Sequence, residues 1–172
     1  MRSLLGQVQE RASAPAEARV PTALPTSKEI PYDYVARFIL TGVRGNRVQD
    51  VIAISVEGAF VAVTVGYSFI PASLQSVPPS PSNDRAIDFL YSIVDSGSGR
   101  ELQNRPIHSI AGLGEPNGGR PFRPFAKPML FMPRSNIRFE VEEITADGTT
   151  VGGELFIVLH GYKMLGYGTG LP

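Results

Sequence analysis

The chain has 172 residues, and its sixteen Lys and Arg balance sixteen Asp and Glu, so no global field draws it to nucleic acid or to an anionic membrane. That length suits one domain with a real core and is short for two well-packed ones. With no cysteine there is neither a disulfide framework nor a thiolate metal site, which suits folding in a reducing cytoplasm. An apolar content of 42% is that of a globular protein, while 15 Pro and 18 Gly spread along the chain favour short strands and turns over long helices. The opening MRSLLGQVQE lacks the apolar run of a signal peptide. The stretch from Val51 to Ile70 is interrupted by Ser55, Glu57, Gly58, Thr64 and Gly66, and reads as two strands rather than a membrane helix of roughly twenty apolar residues. A soluble protein with no membrane partner is expected.

Residues 1–33 read as an extended N-terminal arm. Pro15, Pro21, Pro25 and Pro31 leave no room for a useful helix after Ala14, and the apolar content is too low for the arm to order itself. Its anchors, as an extended strap across a neighbouring subunit, would be Leu4, Leu5, Val8, Val20 and Leu24. The body follows as residues 34–165. A first strand is predicted from Tyr34 to Thr41, a second from Arg47 to Val56 and a third from Ala59 to Phe69, the last two joined by a hairpin at Glu57-Gly58. Val51 to Ile54 and Phe60 to Val63 are apolar on both faces, which places both strands centrally in a sheet. Pro71 to Asp84 is a Pro- and Ser-rich surface loop. Arg85 to Val94 reads as a strand by its β-branched and aromatic content, closed by the turn Asp95-Ser96-Gly97-Ser98-Gly99. Glu101 to Ile110 is a further short strand broken at Pro106, Gly112 to Gly119 a glycine-rich loop, and Pro121, Pro124, Pro128 and Pro133 punctuate an extended edge segment.

The clearest local signal lies beyond it. Ile137, Phe139 and Val141 alternate with Arg138, Glu140 and Glu142, the period of a half-buried strand. Glu142-Glu143-Ile144 breaks the alternation, which predicts a bulge, and Asp147-Gly148 predicts a tight hairpin to a return strand. In that return strand Leu155, Ile157 and Leu159 share one face, yet Phe156 and Val158 on the other are also apolar. This predicts a central strand or a subunit contact, with Phe156 and Val158 as contact residues and a homodimer or homotrimer as the outcome. Residues 166–172, with three glycines, read as a flexible C-terminal tail.

No constellation of catalytic chemistry stands out. The glycine loop lacks a Lys-Ser/Thr pair at phosphate-loop spacing, and Pro116 removes a donor amide. His108 has no neighbouring ligand, so His108 and His160 are expected to be structural, each with a nitrogen bonded to a backbone carbonyl. Glu140, Glu142, Glu143 and Glu154 are expected to point outward from a solvated hairpin rather than to face each other as a glycosidase pair. Arg120, Arg123, Lys127, Arg134 and Arg138 interleave with Phe122, Phe125 and Phe131 like a nucleic-acid surface, but the proline spacing points to an edge packed on the core or on a partner. No catalytic residue, metal ligand or cofactor site is expected, and no nucleic acid.

Three stretches carry a family resemblance: Leu102-Gln103-Asn104-Arg105-Pro106-Ile107-His108, Pro121-Phe122-Arg123-Pro124-Phe125 with Phe131-Met132-Pro133-Arg134-Ser135, and Leu159-His160-Gly161-Tyr162-Lys163. With them the chain from about Tyr34 to Leu165 resembles small β-rich virion proteins of tailed bacteriophages, the auxiliary capsid proteins called cement or decoration proteins. The resemblance implies a jelly-roll-like β-sandwich that binds the major capsid protein on the capsid surface, is assembled in the host cytoplasm, and stabilises the shell as an oligomer without enzymatic activity. The residues themselves predict an all-β protein, an antiparallel sandwich of about eight strands with Phe139, Val141, Leu155, Ile157 and Leu159 in its core, a jelly roll before an immunoglobulin-like sandwich. Alternatives for function are a tail, baseplate or fibre-adaptor protein, and a carbohydrate-binding sandwich module using Tyr67, Tyr91 and Tyr167.

Overall fold

A computed structural model describes residues 28–72, 87–116, 119–145 and 152–166. Leu4, Leu5, Val8, Val20, Leu24, Asp147, Gly148 and Tyr167 lie outside the described residues, as does most of the Pro71–Asp84 loop. Nine strands and one short helix follow in chain order: β1 Lys28–Leu40, β2 Arg47–Ala53, β3 Gly58–Pro71, β4 Phe89–Asp95, β5 Arg100–Glu101, β6 Ile107–His108, α1 Ser109–Leu113, β7 Phe122–Phe131, β8 Asn136–Glu143 and β9 Gly153–Leu165. All the pairings are antiparallel. One sheet has the order β1-β9-β3-β7, the other β2-β8-β4-β5 with β6 also on β4.

The pairs are nested: β1 with β9, β2 with β8, β3 with β7, β4 with β5. Such a chain is one long antiparallel ribbon wrapped on itself, with alternate pairs falling in opposite sheets. This is the strand order of a jelly roll, and the protein is an all-β antiparallel sandwich of that kind. An immunoglobulin-like order is thereby excluded.

The core lies between the sheets. Ala36, Phe38 and Leu40 of β1, Val65, Tyr67 and Phe69 of β3, and Leu155, Ile157 and Leu159 of β9 face Phe89, Tyr91 and Ile93 of β4 and Ile137, Phe139 and Val141 of β8, all buried. The five core residues expected from the alternation are among them. Each of the larger aliphatic and Phe side chains among them contributes about 1.5–3 kcal/mol by leaving water. Tyr67 meets Phe89 of the other sheet edge-on at 5.2 Å, and within the first sheet Tyr34 meets Phe60 at 4.8 Å.

Several local expectations need correction. Neither predicted hairpin, at Glu57-Gly58 or at Asp147-Gly148, pairs its strands: β2 and β3 lie in different sheets, as do β8 and β9, while Asp147-Gly148 itself lies outside the described residues. Alternation reports which face of a strand is inside, and that pattern is the same for a hairpin and for an arch that crosses the core. β3 and β9 are central as expected, but β2 is an edge strand whose Val51 is 51% exposed. β1 begins at Lys28, six residues before Tyr34, so its ladder runs into the segment read as arm; Pro31 is accepted because β1 is an edge strand. β8 itself carries no extra residue at Glu142-Glu143, where the ladder with β4 continues in register; on the β2 side the ladder ends at Arg47–Glu142, and Gly45 and Asn46 both bond to the backbone of Glu143. Opposite β9 a bulge in β3 lies between Ala62 and Thr64, and the register of β3 with β7 shifts at the same place, from Met129 to Pro124, with the extra residues in β7.

The motif Leu159-His160-Gly161-Tyr162-Lys163 has a structural reading. A Cβ on Gly161 would run into the carbonyl of Val61 on β3, so glycine is required for the two strands to close next to the bulge. Lys163 is buried, and its ammonium sits 3.6 Å from the centroid of the Tyr32 ring and 5.5 Å from that of Tyr34. Those π faces take the place of a carboxylate partner.

Candidate functional site

The outer face of the four-stranded sheet carries an apolar row. Val158 on β9 stands between Val35 on β1 and Gly66 on β3, and Gly66 is in turn opposite Phe122 on β7. Gly66 makes room for its neighbour, because a Cβ there would lie 2.7 Å from the Phe122 ring. Phe122 and Val35 remain 53% and 49% exposed, and Ile39, on the same face of β1 beyond Arg37, 60%. Of the predicted contact residues, Val158 sits half-buried in the middle of this row, and Phe156, also half-buried, lies in the next row between Arg37 and Ser68. Ion pairs bound it. Arg37 reaches Glu154 through two hydrogen bonds of 2.8 and 3.1 Å, and His160 Nδ1 lies 3.1 Å from Asp33 Oδ1. His160 also meets the Phe122 ring edge-on at 4.8 Å, and its buried Nε2 has no hydrogen-bond partner among the described residues.

The sheet edges differ sharply from this face. β1 presents Lys28, Glu29, Pro31, Asp33 and Arg37, and β7 presents Arg123, Pro124, Lys127 and Pro128. β2 turns Asp50 inward, where its Oδ2 accepts the backbone amide of Arg37 at 2.9 Å and ties the edges of the two sheets together. Prolines and charges of this kind block strand-to-strand pairing with another molecule.

The remaining sequence candidates disperse. His108 and His160 belong to different sheets, and among the described residues neither bonds a backbone carbonyl: His108 Nδ1 caps α1 by accepting from the Ile110 amide at 3.3 Å, and His160 pairs with Asp33. Tyr67 and Tyr91 are buried in the core, so neither offers an exposed ring to a sugar. Burial pushes the Tyr91 hydroxyl above its usual pKa, with nearby Arg123 and a hydrogen bond with Gln103 opposing. Of the mixed basic and aromatic stretch, β7 is an edge strand as expected, with Phe131 in the core and Phe125 packed against it. Gly112, expected in a loop, is inside α1, where a Cβ would strike the Tyr91 hydroxyl. Among the described residues no group of three or more His, Asp and Glu is placed to hold a metal ion.

Two features escaped sequence reasoning. Glu143 is not outward: it is 2% exposed and accepts hydrogen bonds from the Thr41 and Gly42 amides and the Asn46 side chain, at 2.9, 2.8 and 2.6 Å. The alternation Ile137, Phe139, Val141 continues unbroken to Glu143, a core position that a carboxylate can take only when it is hydrogen-bonded. The second is a groove of about 450 Å³ on the outer face of the other sheet, where Arg47, Gln49, Leu90, Ser92, Glu140 and Glu142 converge beneath Pro106. Glu140 and Glu142 do point outward as expected; Glu142 pairs with Arg47 at 2.9 Å and Glu140 with Arg138 at 3.0 Å.

No protein-family model matches the chain, and no curated protein matches it. Among solved structures it is similar to a protein of Sulfurospirillum deleyianum, at a TM-score of 0.37 and 9% identity over 77% of this chain and 99% of that one. It is also similar to the VP2 subviral particle of infectious bursal disease virus, at a TM-score of 0.34 and 13% identity over 88% of this chain and 42% of that one. The structure of the Gx strain of the same virus gives 0.31 and 13%, over 88% and 41%. Structural neighbours therefore include a β-rich viral capsid protein, of which this chain spans less than half. Scores this low carry no argument about role, and the jelly-roll topology rests on the strand pairing alone.

Proposed function

We propose that the protein is a non-enzymatic virion structural protein, of the cement or decoration kind, which binds the outside of a capsid and bridges major capsid subunits. The observation that carries this reading is the contrast between guarded sheet edges and an unguarded apolar face. The row Val35, Val158 and Phe122, with Phe156 and Ile39 beside it, is the surface on which a flat, face-to-face contact would exclude water. Guarded edges keep the same molecule from polymerising through its strands. The jelly roll suits the role but does not establish it, since such sandwiches host many functions.

The apolar row then mediates self-association into a dimer or trimer, and residues 1–27, which precede β1, serve as the strap that attaches the oligomer to the shell. Light scattering should give a dimer or trimer for the wild type and a monomer for Val35→Asp, whose side chain is half exposed and outside the core. A monomeric wild type at high concentration overturns the self-association. Deleting residues up to Ser27 should leave the melting temperature little changed and weaken attachment to particles. Labelling spread over the whole head of purified particles supports a cement protein, labelling at one vertex or on the tail replaces it with an adaptor, and absence from particles removes both.

A further inference from the structure

We infer that the groove on the outer face of the β2-β8-β4 sheet is a saccharide-binding site for an uncharged, polyhydroxyl ligand. Ladder register builds it in two rows. Arg47, Glu142 and Leu90 lie opposite one another in the first, Gln49, Glu140 and Ser92 in the second, and Pro106 closes one side. Three strands about 4.8 Å apart and two rows about 6.8 Å apart make a bed the size of one or two pyranose rings.

Charge selects the ligand. The two guanidiniums and two carboxylates in and beside the groove are already joined as Arg47–Glu142 and Arg138–Glu140, so they cancel locally and offer nothing to a net ion. What remains unused is hydrogen-bonding capacity. Gln49 and Ser92 make no side-chain hydrogen bond among the described residues, and each carboxylate has a second oxygen outside its ion pair. An amide, a hydroxyl and free carboxylate oxygens, carried at strand and row spacings of about 5–10 Å on a rigid sheet, can each meet a different hydroxyl around one or two pyranose rings. Leu90 and Pro106 supply the apolar surface for a sugar's C–H face. The site is on the opposite side of the sandwich from the apolar row, so the inference does not depend on the virion reading.

The test is a titration of the full-length, isotope-labelled protein, followed by amide chemical shifts, with maltotriose, cellotriose, chitotriose and lacto-N-tetraose, and 3′-sialyllactose as the charged probe. The expected result is a saturable shift with at least one neutral sugar, confined to residues 47–49, 90–92, 106–107 and 140–142. Gln49→Ala should weaken it about tenfold and Ser92→Ala about fivefold, the loss of one hydrogen bond each, while shifts elsewhere stay at wild-type positions and show that both variants fold. No saturable shift with any neutral sugar, shifts mapping to another face, binding of 3′-sialyllactose alone, or variants that bind like the wild type would each overturn the inference.

Discussion

The two ends of the sandwich are closed by different means. At the end where β1 passes to β2, one buried carboxylate holds the connection: Glu143 takes the Thr41 and Gly42 amides and the Asn46 side chain, while its own backbone exchanges hydrogen bonds with Gly45 and Asn46 at 2.7 and 2.9 Å. At the other end, three connections share the work through backbone groups. Ile54 donates to Ser135 at 2.8 Å and accepts from Arg134 at 3.1 Å, and Ser96 donates to Asn136 at 2.8 Å. The Ser135 hydroxyl adds a bond to the Met132 carbonyl at 2.7 Å. Backbone closure spreads stability over groups that every substitution except proline keeps, whereas side-chain closure concentrates it in one residue.

Glu143→Ala is the strongest way to break that comparison. Removing the acceptor leaves two loop amides and the Asn46 amide without a partner, and hydrogen bonds to charged groups contribute about 1.5–3 kcal/mol each before overlap. A loss of roughly 3–5 kcal/mol is expected, a large share of a small domain's stability. Glu143→Gln keeps one oxygen acceptor but introduces donors toward donors, and should fall about midway. Urea denaturation measures both; a loss under about 1 kcal/mol for the alanine variant means that water replaces the carboxylate and the end is not concentrated after all.

Alkaline pH probes the packing behind the same end. Tyr91 is buried on β4, two residues from the Phe89 that pairs with Glu143, and burial holds its hydroxyl above the usual value. The sign follows from linkage: the unfolded tyrosine ionises from about pH 10 upward while the folded one stays neutral, so its contribution is complete below that pH and is lost as pH rises toward the folded pKa. Stability should therefore fall above about pH 10, and Tyr91→Phe should make that fall shallower by up to about 1.4 kcal/mol per pH unit. At neutral pH the phenylalanine variant loses the Gln103 hydrogen bond, about 1 kcal/mol. Equal alkaline slopes in the two proteins would mean that the Tyr91 hydroxyl is wet.

How much of this was legible in the sequence divides along the same line. The core face of β8 and β9, the edge character of β7 and the Asp95–Gly99 turn follow from alternation, proline and glycine, all properties of neighbouring residues. The sheet partner of each strand does not, because jelly-roll wrapping makes β2 and β3, or β8 and β9, neighbours in sequence and members of opposite sheets. Glu143 was hidden for a related reason: its partners Thr41, Gly42 and Asn46 come from the far end of the ribbon, and only the fold brings them to it. The same holds for the candidate site. Phe156 and Val158 declare themselves locally, but Val35, Gly66 and Phe122 join them through β1, β3 and β7.

The backbone-closed end should respond weakly to single changes, and Ser135→Ala tests this first. Its hydroxyl makes one bond, to a carbonyl that also accepts the Ser135 amide at 3.2 Å, so about 1 kcal/mol should be lost. A loss equal to that of Glu143→Ala would erase the contrast between the ends.

The smallest effect should be a gain. Met132-Pro133-Arg134-Ser135 is a reverse turn with proline second and, at the third position, Arg134 at φ 64°, the one positive-φ residue other than glycine among those described. A side chain in that region costs about 1–2 kcal/mol relative to right-handed geometry, and glycine adopts it without that cost. Glycine also raises the entropy of the unfolded chain, which offsets about half of the relief. The bonds that close this end run through backbone groups, which Arg134→Gly keeps, including the Arg134 amide on Ile54. A gain of about 0.5 kcal/mol is expected from paired urea midpoints at unchanged slope. A clear loss would show that the arginine side chain itself holds the turn, and that closure at this end is not a property of the backbone alone.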